Sequence, residues 1–114
     1  RAEDNDAVMS GLRPGALVIN ATGLGKDAPG SPLTFAGPFP ERAVVWELNY
    51  RGDLVFLDQA NAQKQAKSLQ VEDGWTYFIH GWTQVIAEVF DVTLPTHGPD
   101  FDKIAAIAAK VTGR

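Results

Sequence analysis

The chain has 114 residues, the length of one small domain. Apolar residues make up 45% of it and charged residues 21%, a balance typical of a globular protein, and the net charge of −4 argues against a nucleic-acid partner. Because there is no cysteine, disulfides and thiolate metal sites are excluded, and no apolar run approaches the roughly 20 residues of a membrane span. We therefore expect a cytoplasmic enzyme or binding domain without a membrane partner.

Apolar runs separated by turn residues predict the elements of the first half of the chain. A short helix is expected over residues 7–12, with Asp6 as its N-cap. The apolar, partly β-branched run that follows predicts a strand at 16–21, buried on both faces as parallel strands are. Residues 23–40 hold four prolines and four glycines, which predicts a long loop, and a loop of this length is more often functional than a mere connector.

The next apolar runs predict a second strand at 43–48 and, after a polar turn, a helix at 54–68 with the preceding aspartate as its N-cap. A short third strand is expected at 69–72. Glu72 and Asp73 are neighbours in sequence at the end of this strand, so we interpret them as turn and cap residues rather than as a catalytic pair.

The strongest periodic signal predicts a helix at 75–90. Its apolar residues recur every three or four positions and form one dense stripe, which we expect to be buried. Gly81 lies within this helix at a cost of about 1 kcal/mol relative to alanine, which indicates close approach of a backbone or a ligand. A last helix is expected from Asp100 or Asp102 through Val111, ended by a glycine two residues later.

The alternation of strands and helices favours an α/β fold with a parallel sheet. Three short strands are few for such a sheet, whose faces and edges are normally covered. The strand at 16–21 is the most apolar one, yet no earlier segment is available to pair with its other edge. Together with a first residue, Arg1, that is not methionine, this predicts a piece of a longer protein that carries only half of its sheet.

Several motifs with known chemistry match this sequence incompletely. The segment from Asn20 to Lys26 can be compared with a phosphate-binding loop, but it lacks the first glycine, and Asp27 occupies the place of the magnesium-binding hydroxyl. The glycine fingerprint of dinucleotide-binding domains is absent, and a plain tight turn remains an alternative for this segment. His80 and His97 have no carboxylate at ligand spacing, so a structural role is expected for each and no metal site is predicted.

Four segments together resemble the shikimate dehydrogenases. Each one is a weak signal by itself, but their order and spacing agree across roughly residues 12–92. They are the strand with its Asn-Ala-Thr loop at 18–25, the Ser-Pro-Leu at 31–33, the Val-Val-Trp-Glu-Leu-x-Tyr at 44–50, and the Asp-Gly-Trp with the following apolar helix at 73–90.

The resemblance implies the C-terminal half of an NAD- or NADP-binding, Rossmann-like domain with three α/β/α layers. It implies that Asn20, Ala21 and Thr22 lie beside the ribose and nicotinamide of the cofactor. Gly74 would let the backbone approach the nicotinamide, and Tyr77 would take the place of a methionine near it. The glycine fingerprint and the domain with the family's catalytic lysine and aspartate would lie upstream, so no catalytic residue is assigned in this chain.

The implied reaction is reversible hydride transfer between a nicotinamide and a ring carbonyl of a cyclic hydroxy acid. Tyr50, which follows the second strand, would face this substrate. Gly81 stands where the family usually has a substrate-binding glutamine, and Glu47 replaces an aspartate, which implies a divergent member with a bulkier substrate. The implied partners are the cyclic hydroxy acid and the missing N-terminal portion of the same protein, with a homodimer left open.

Two alternatives stay open. The chain could be a stand-alone, non-catalytic half-domain that binds a protein partner by pairing with the open edge of the strand at 16–21. It could also be a nucleotide-binding remnant without catalysis. Exposure of such an apolar edge would invite aggregation, which favours the enzyme hypothesis.

Overall fold

The computed structural model describes all 114 residues, which form four helices and three strands. They divide into two compact units, unit 1 at Arg1–Trp75 and unit 2 at Thr76–Arg114. In chain order the elements are α1 (Ala2–Ser10), β1 (Leu17–Asn20), β2 (Val44–Glu47), α2 (Val55–Lys67), β3 (Gln70–Glu72), α3 (Trp75–Phe90) and α4 (Gly98–Thr112). None of these helices combines the length and the apolar character that a membrane crossing requires.

The three strands of unit 1 form one parallel sheet in the order β1-β2-β3. The register aligns Val18 with Val45 and Val45 with Val71, so these three valines share one face of the sheet. The predicted α/β class with a Rossmann-like parallel sheet is thereby confirmed. β1 is an edge strand, because β2 is its only neighbour in the sheet.

The core of unit 1 lies on the valine face of this sheet. Val45 is fully buried there, and the rings of Phe39 and Phe56 meet edge to face with their centroids 5.5 Å apart. Met9 of α1 and Ala60 of α2 complete the same cluster. Burial of a large apolar side chain contributes about 1.5–3 kcal/mol, so this cluster is the main source of cohesion in unit 1.

The opposite face of β1 is open. Leu17 and Ile19 are 60% and 45% exposed, whereas Asn20, which shares the valine face, is buried. Side chains of a strand alternate between the two faces, and only one of the faces is packed at β1. The prediction that this strand is buried on both faces is therefore wrong for this chain.

Two helix starts in unit 1 also differ from the prediction. α1 begins at Ala2 rather than at residue 7, so Asp6 lies inside the helix, where its carboxylate accepts hydrogen bonds from the backbone N–H and the hydroxyl of Thr34. Asp53 does not cap α2. The N-cap is Leu54, which adopts a left-handed conformation with a φ of 48° and makes no side-chain cap hydrogen bond.

Unit 2 contains most of α3 and all of α4. α3 covers the predicted range of 75–90, and its buried residues are Ile79 and Thr83. α4 begins at Gly98, with His97 as the N-cap, and therefore starts before both of the aspartates expected to cap it. A proline in its first turn explains this start, since proline is favoured at the beginning of a helix.

The apolar side of α3 is exposed toward its C-terminal end. Five side chains there are 42–70% exposed, and we call them the exposed stripe: Trp82, Val85, Ile86, Val89 and Phe90. On α4, Ile107 and Val111 are exposed as well. The prediction that the apolar stripe of α3 is buried is therefore wrong for the five residues of the exposed stripe. Periodicity identifies residues that share a helix face, but it does not say whether the same chain supplies a surface to cover them.

Candidate functional site

Polar side chains fill the corner at which β1 and β2 end. Asn20 is the last residue of β1 and is aligned with Glu47, the last residue of β2, and both side chains are buried. Thr22 and Asn49 follow two residues later in the two loops. We call these four residues the polar corner. Ligands of open α/β sheets bind beyond the carboxyl ends of the strands, which is where the polar corner lies.

Glu47 is the centre of the polar corner. Its Oε2 accepts a hydrogen bond from Asn20 Nδ2 at 2.6 Å. Its Oε1 accepts one from the backbone N–H of Asn49 at 2.8 Å and a second from Asn49 Nδ2 at 2.6 Å. Three amide donors therefore surround a carboxylate that has no exposure to water, and they offset the cost of burying it. Through Glu47, the loop after β1 is tied to the loop after β2.

Both ends of the Asn20 side-chain amide are engaged. While its Nδ2 donates to Glu47, its Oδ1 accepts from the backbone N–H of Thr22 at 3.1 Å and from the Thr22 hydroxyl at 2.7 Å. The Thr22 hydroxyl in turn accepts from the Leu24 N–H at 3.2 Å. Asn20 thus shapes the loop from within, whereas Ala21 and Thr22 are the two exposed residues of the predicted cofactor-binding segment.

Gly74 is buried where the ends of β2 and β3 meet. Its N–H donates to the carbonyl of Asn49 at 3.0 Å. A Cβ at this position would lie 2.0 Å from the carbonyl oxygen of Leu48, a distance that no side chain can adopt. Glycine is therefore required here by the approach of the protein's own backbone. A continuous chain of hydrogen bonds runs from Asn20 through Glu47 and Asn49 to Gly74.

Tyr50 lies next to the polar corner and is half-buried. Its ring packs edge-on against Trp75, with the ring centroids 5.7 Å apart and an interplanar angle of 60°. The N–H of Trp75 donates to the carboxylate of Asp73 at 2.9 Å, and the indole N–H of Trp46 donates to the Asp73 carbonyl at 3.3 Å. Asp73 thus serves the turn after β3, as predicted from its position, and helps to fix the surroundings of Tyr50.

The remaining two predicted site residues belong to α3 in unit 2. Tyr77 is 58% exposed. Gly81 has no atom within 4 Å of the position that a Cβ would take, so no segment of the chain packs closely against it. The close backbone approach expected at Gly81 is therefore not present. The structure brings Asn20, Thr22 and Tyr50 together in unit 1, and the polar corner is complete without residues of α3.

A cavity of about 260 Å³ adjoins Thr22 and runs along the unpaired edge of β1. Val18 and Ile19, which project from opposite faces of the strand, both line it, so the cavity follows the edge of the sheet rather than one face. We call it the edge groove. Its other lining residues are mainly apolar: Asn5, Val8, Met9, Thr22, Pro32, Leu33 and Phe56.

Side chains of α1 and α2 hold the long loop at residues 23–40. Gln59 donates from Nε2 to the carbonyls of Leu33 at 3.2 Å and Thr34 at 2.9 Å, and its Oε1 accepts from the Ser31 hydroxyl at 2.6 Å. Gln63, one turn later on α2, accepts from the Phe39 N–H and donates to a carbonyl of the same loop. The predicted loop is confirmed, and helix side chains anchor its second half, at residues 31–39.

Sequence reasoning missed Asn49, Gln59 and Gln63 as organising residues. A signal for Asn49 was present, because it follows Glu47 by two positions and therefore projects in the same direction from an extended backbone. The two glutamines are spaced by four residues, which places them on one face of a helix. Their partners are loop carbonyls and N–H groups, which carry no sequence signature.

The histidines and acidic residues form no metal centre. No group of three or more His, Asp or Glu side chains is positioned to hold a metal ion. The His80 ring stacks on Phe101 at a centroid distance of 4.4 Å, which gives this histidine a packing role within unit 2. Lys26, in the segment compared with a phosphate-binding loop, pairs with the neighbouring Asp27 at 3.2 Å.

Comparisons with known proteins give no match: no family model, no curated protein and no solved structure is significantly similar to this chain. Its function is therefore proposed from the sequence resemblance given above, together with three features of the molecule itself. These are the polar corner, the edge groove with the unpaired edge of β1, and the exposed stripe on α3.

Proposed function

We propose that this chain is part of an NAD(P)-dependent oxidoreductase similar to the shikimate dehydrogenases, which transfers a hydride between a nicotinamide and a cyclic hydroxy acid. The polar corner is the observation that carries the proposal. The loop expected to border the cofactor and the loop that bears Tyr50 leave neighbouring parallel strands and are joined by the hydrogen bonds of Glu47. Such a pair of loops beyond the carboxyl ends of a parallel sheet is where α/β enzymes bind their ligands.

In our proposal, the residues of the corner divide two roles toward a nicotinamide. A bound nicotinamide would accept or release the hydride. Ala21 and Thr22 are exposed and would contact it, while the buried Asn20 and Glu47 would hold the loop in shape without touching it. Tyr50 would position the hydroxy acid through its hydroxyl. The cofactor phosphates and the catalytic lysine and aspartate are assigned to the upstream portion of the protein.

The unpaired edge of β1 supports the proposal that the chain is the C-terminal half of a three-layer domain. The carbonyls of Ala16 and Asn20 accept hydrogen bonds from β2, so the backbone groups of Leu17 and Ile19 point away from β2. An apolar edge strand with free backbone groups is a template for another strand. In our proposal, the strand with the glycine fingerprint pairs here, and a further helical layer covers Leu17 and Ile19.

The same edge favours a second candidate function, a non-catalytic domain that binds a protein partner by strand addition. In that case the edge groove, which flanks the free backbone groups, would receive a side chain of the added strand. This candidate predicts no binding of NAD or NADP by the intact protein, whereas the oxidoreductase requires it.

The test uses the intact protein that carries these 114 residues. We expect binding of a reduced nicotinamide and its oxidation in the presence of a cyclic keto acid, followed by absorbance over a panel of such acids. Thr22→Val removes the hydroxyl that binds Asn20 and the Leu24 N–H, so the loop beside the nicotinamide loosens; we expect nicotinamide binding to weaken about tenfold, with the global fold retained by circular dichroism. Thr96→Val, a matched change in an exposed loop of unit 2, should leave binding unchanged. Absence of binding and turnover with both nicotinamides would overturn the proposal.

A further inference from the structure

The exposed stripe is an apolar surface that the polar corner and the edge groove do not explain. Trp82, Val89 and Phe90 are 55%, 70% and 70% exposed, and Val85 and Ile86 are 49% and 42% exposed. From the usual areas of aromatic and aliphatic side chains, the stripe exposes on the order of 500 Å² of apolar surface. This is near the upper end of what monomeric proteins leave open, which marks the stripe as an interaction surface.

The charges of α3 restrict the kind of partner that fits this surface. Its only charged or titratable side chains, apart from Tyr77, are His80 and Glu88, and it contains no lysine or arginine. Helices that bind membrane surfaces carry basic residues on their polar face, and nucleic-acid surfaces need them as well. With a net charge of −4 for the chain, a lipid or nucleic-acid partner is disfavoured. The class of partner that remains is a protein with an apolar surface that matches the stripe.

The order of residues along the stripe is complementary to itself. If two α3 helices pack antiparallel about a two-fold axis at Ile86, Trp82 of each lies opposite the second copy's Phe90, and Glu88 lies opposite Gln84 rather than opposite another Glu88. A two-fold interface requires this kind of self-complementary arrangement. Aromatic side chains then pack at both ends of the contact, and no like charges face each other.

We propose that the exposed stripe is a homodimer interface, in which the α3 helices of two copies pack antiparallel around Ile86. Two copies bury on the order of 1,000 Å², the size at which specific protein interfaces begin. This inference rests on the stripe of unit 2 and not on the polar corner, and it requires that the upstream portion assigned under the proposed function leaves the stripe uncovered.

Sedimentation of the intact protein over a range of concentrations tests the inference. We expect a species of twice the monomer mass that dissociates on dilution. Ile86→Glu places a carboxylate from each copy at the two-fold axis, next to the four other apolar residues of the stripe. We expect this change to weaken the dimer at least a hundredfold, with the fold retained. Ala106→Glu adds the same charge at an exposed position of α4 and should leave the dimer unchanged. A protein that is monomeric at all concentrations, or a dimer unaffected by Ile86→Glu, overturns the inference.

Single cysteines give a second measurement, since these 114 residues contain none, in a background from which any upstream cysteine has been replaced. Ile86→Cys places the two sulfurs next to the axis and should form a covalent dimer under mild oxidation. Ala106→Cys should stay largely uncrosslinked under the same conditions. Equal crosslinking of the two variants, or none with Ile86→Cys, would mean that α3 does not pack against its own copy, and the stripe would then be covered by another part of the protein or by a different partner.

Discussion

The polar corner of unit 1 and the exposed stripe of unit 2 invert the usual distribution of side chains. In the corner, polar groups are buried, and no buried side-chain nitrogen or oxygen in the chain lacks a hydrogen-bond partner. In the stripe, large apolar side chains face water. The polar corner is therefore satisfied by groups within unit 1, whereas the apolar side chains of the stripe are left uncovered by this chain. The first pattern is typical of a prearranged site, and the second of an interface.

The largest expected effect is a loss of stability on substitution of Gly74, where the ends of β2 and β3 pack closely together. In Gly74→Ala, the new methyl group meets the Leu48 carbonyl oxygen, which belongs to the backbone and cannot move aside. We expect the free energy of unfolding to fall by about 3 kcal/mol or more. Urea denaturation followed by tryptophan fluorescence measures this, because Trp46 and Trp75 lie beside the site.

Gly81→Ala is the matched control in the open region. The added methyl group meets no atom within 4 Å, and alanine is a better helix former than glycine. We therefore expect the free energy of unfolding to rise by about 1 kcal/mol. Opposite signs for the two substitutions would confirm that unit 1 is closed and α3 open at these positions. A loss of stability in both would show that Gly81 is packed in the protein in solution.

The sequence was sufficient to predict most of the local elements and their class, although α1 begins five residues before its predicted start. Apolar runs bounded by glycine and proline located all three strands, and the helical period of α3 located that helix, because these signals arise within a few residues. The cap residues at Asp6 and Asp53 were predicted less well. Asp6 binds Thr34 across the loop instead of capping a helix, and such long-range partners compete with local capping and leave no local signature.

The candidate site was predictable only where its signals are local in the sequence. The position of Asn20 and Tyr50 after neighbouring strands follows from parallel-sheet geometry alone. The hydrogen bonds that engage both the nitrogen and the oxygen of the Asn20 side chain could not be predicted in this way, because they depend on the positions of Glu47 and Thr22. The exposure of the stripe also escaped prediction, since it depends on whether another segment of these 114 residues covers α3, which helical periodicity does not report.

The second effect concerns the carboxylate at the centre of the corner. Glu47→Gln keeps the shape of the side chain but replaces one accepting oxygen with an NH₂ group that faces Asn20 Nδ2 or the donors of Asn49. Two buried N–H donors that face each other both lack an acceptor. We therefore expect the free energy of unfolding to fall by about 2 kcal/mol.

Glu41→Gln is the control for this substitution. Glu41 is exposed and lies 3.9 Å from Lys67, so loss of its charge should change stability by less than about 0.5 kcal/mol. If Glu47→Gln were equally mild, the polar corner would be rearranging around the new amide, and the contrast between a fixed corner and an open stripe would be weakened.

The smallest effect tests the anchoring of the long loop beside the corner. Gln59→Ala removes the two hydrogen bonds to the Leu33 and Thr34 carbonyls and the one from the Ser31 hydroxyl, at an expected cost of about 1–2 kcal/mol. The main readout is local: limited proteolysis should cut within residues 29–40 faster than in the parent protein, because the loop opens without global unfolding. Gln65→Ala, an exposed position on the same helix, should leave both stability and the cleavage rate nearly unchanged. Equal cleavage of the two variants would show that the hydrogen bonds of Gln59 are not needed to hold the loop, which the core contacts of Leu33 and Phe39 and the hydrogen bonds of Gln63 would then hold.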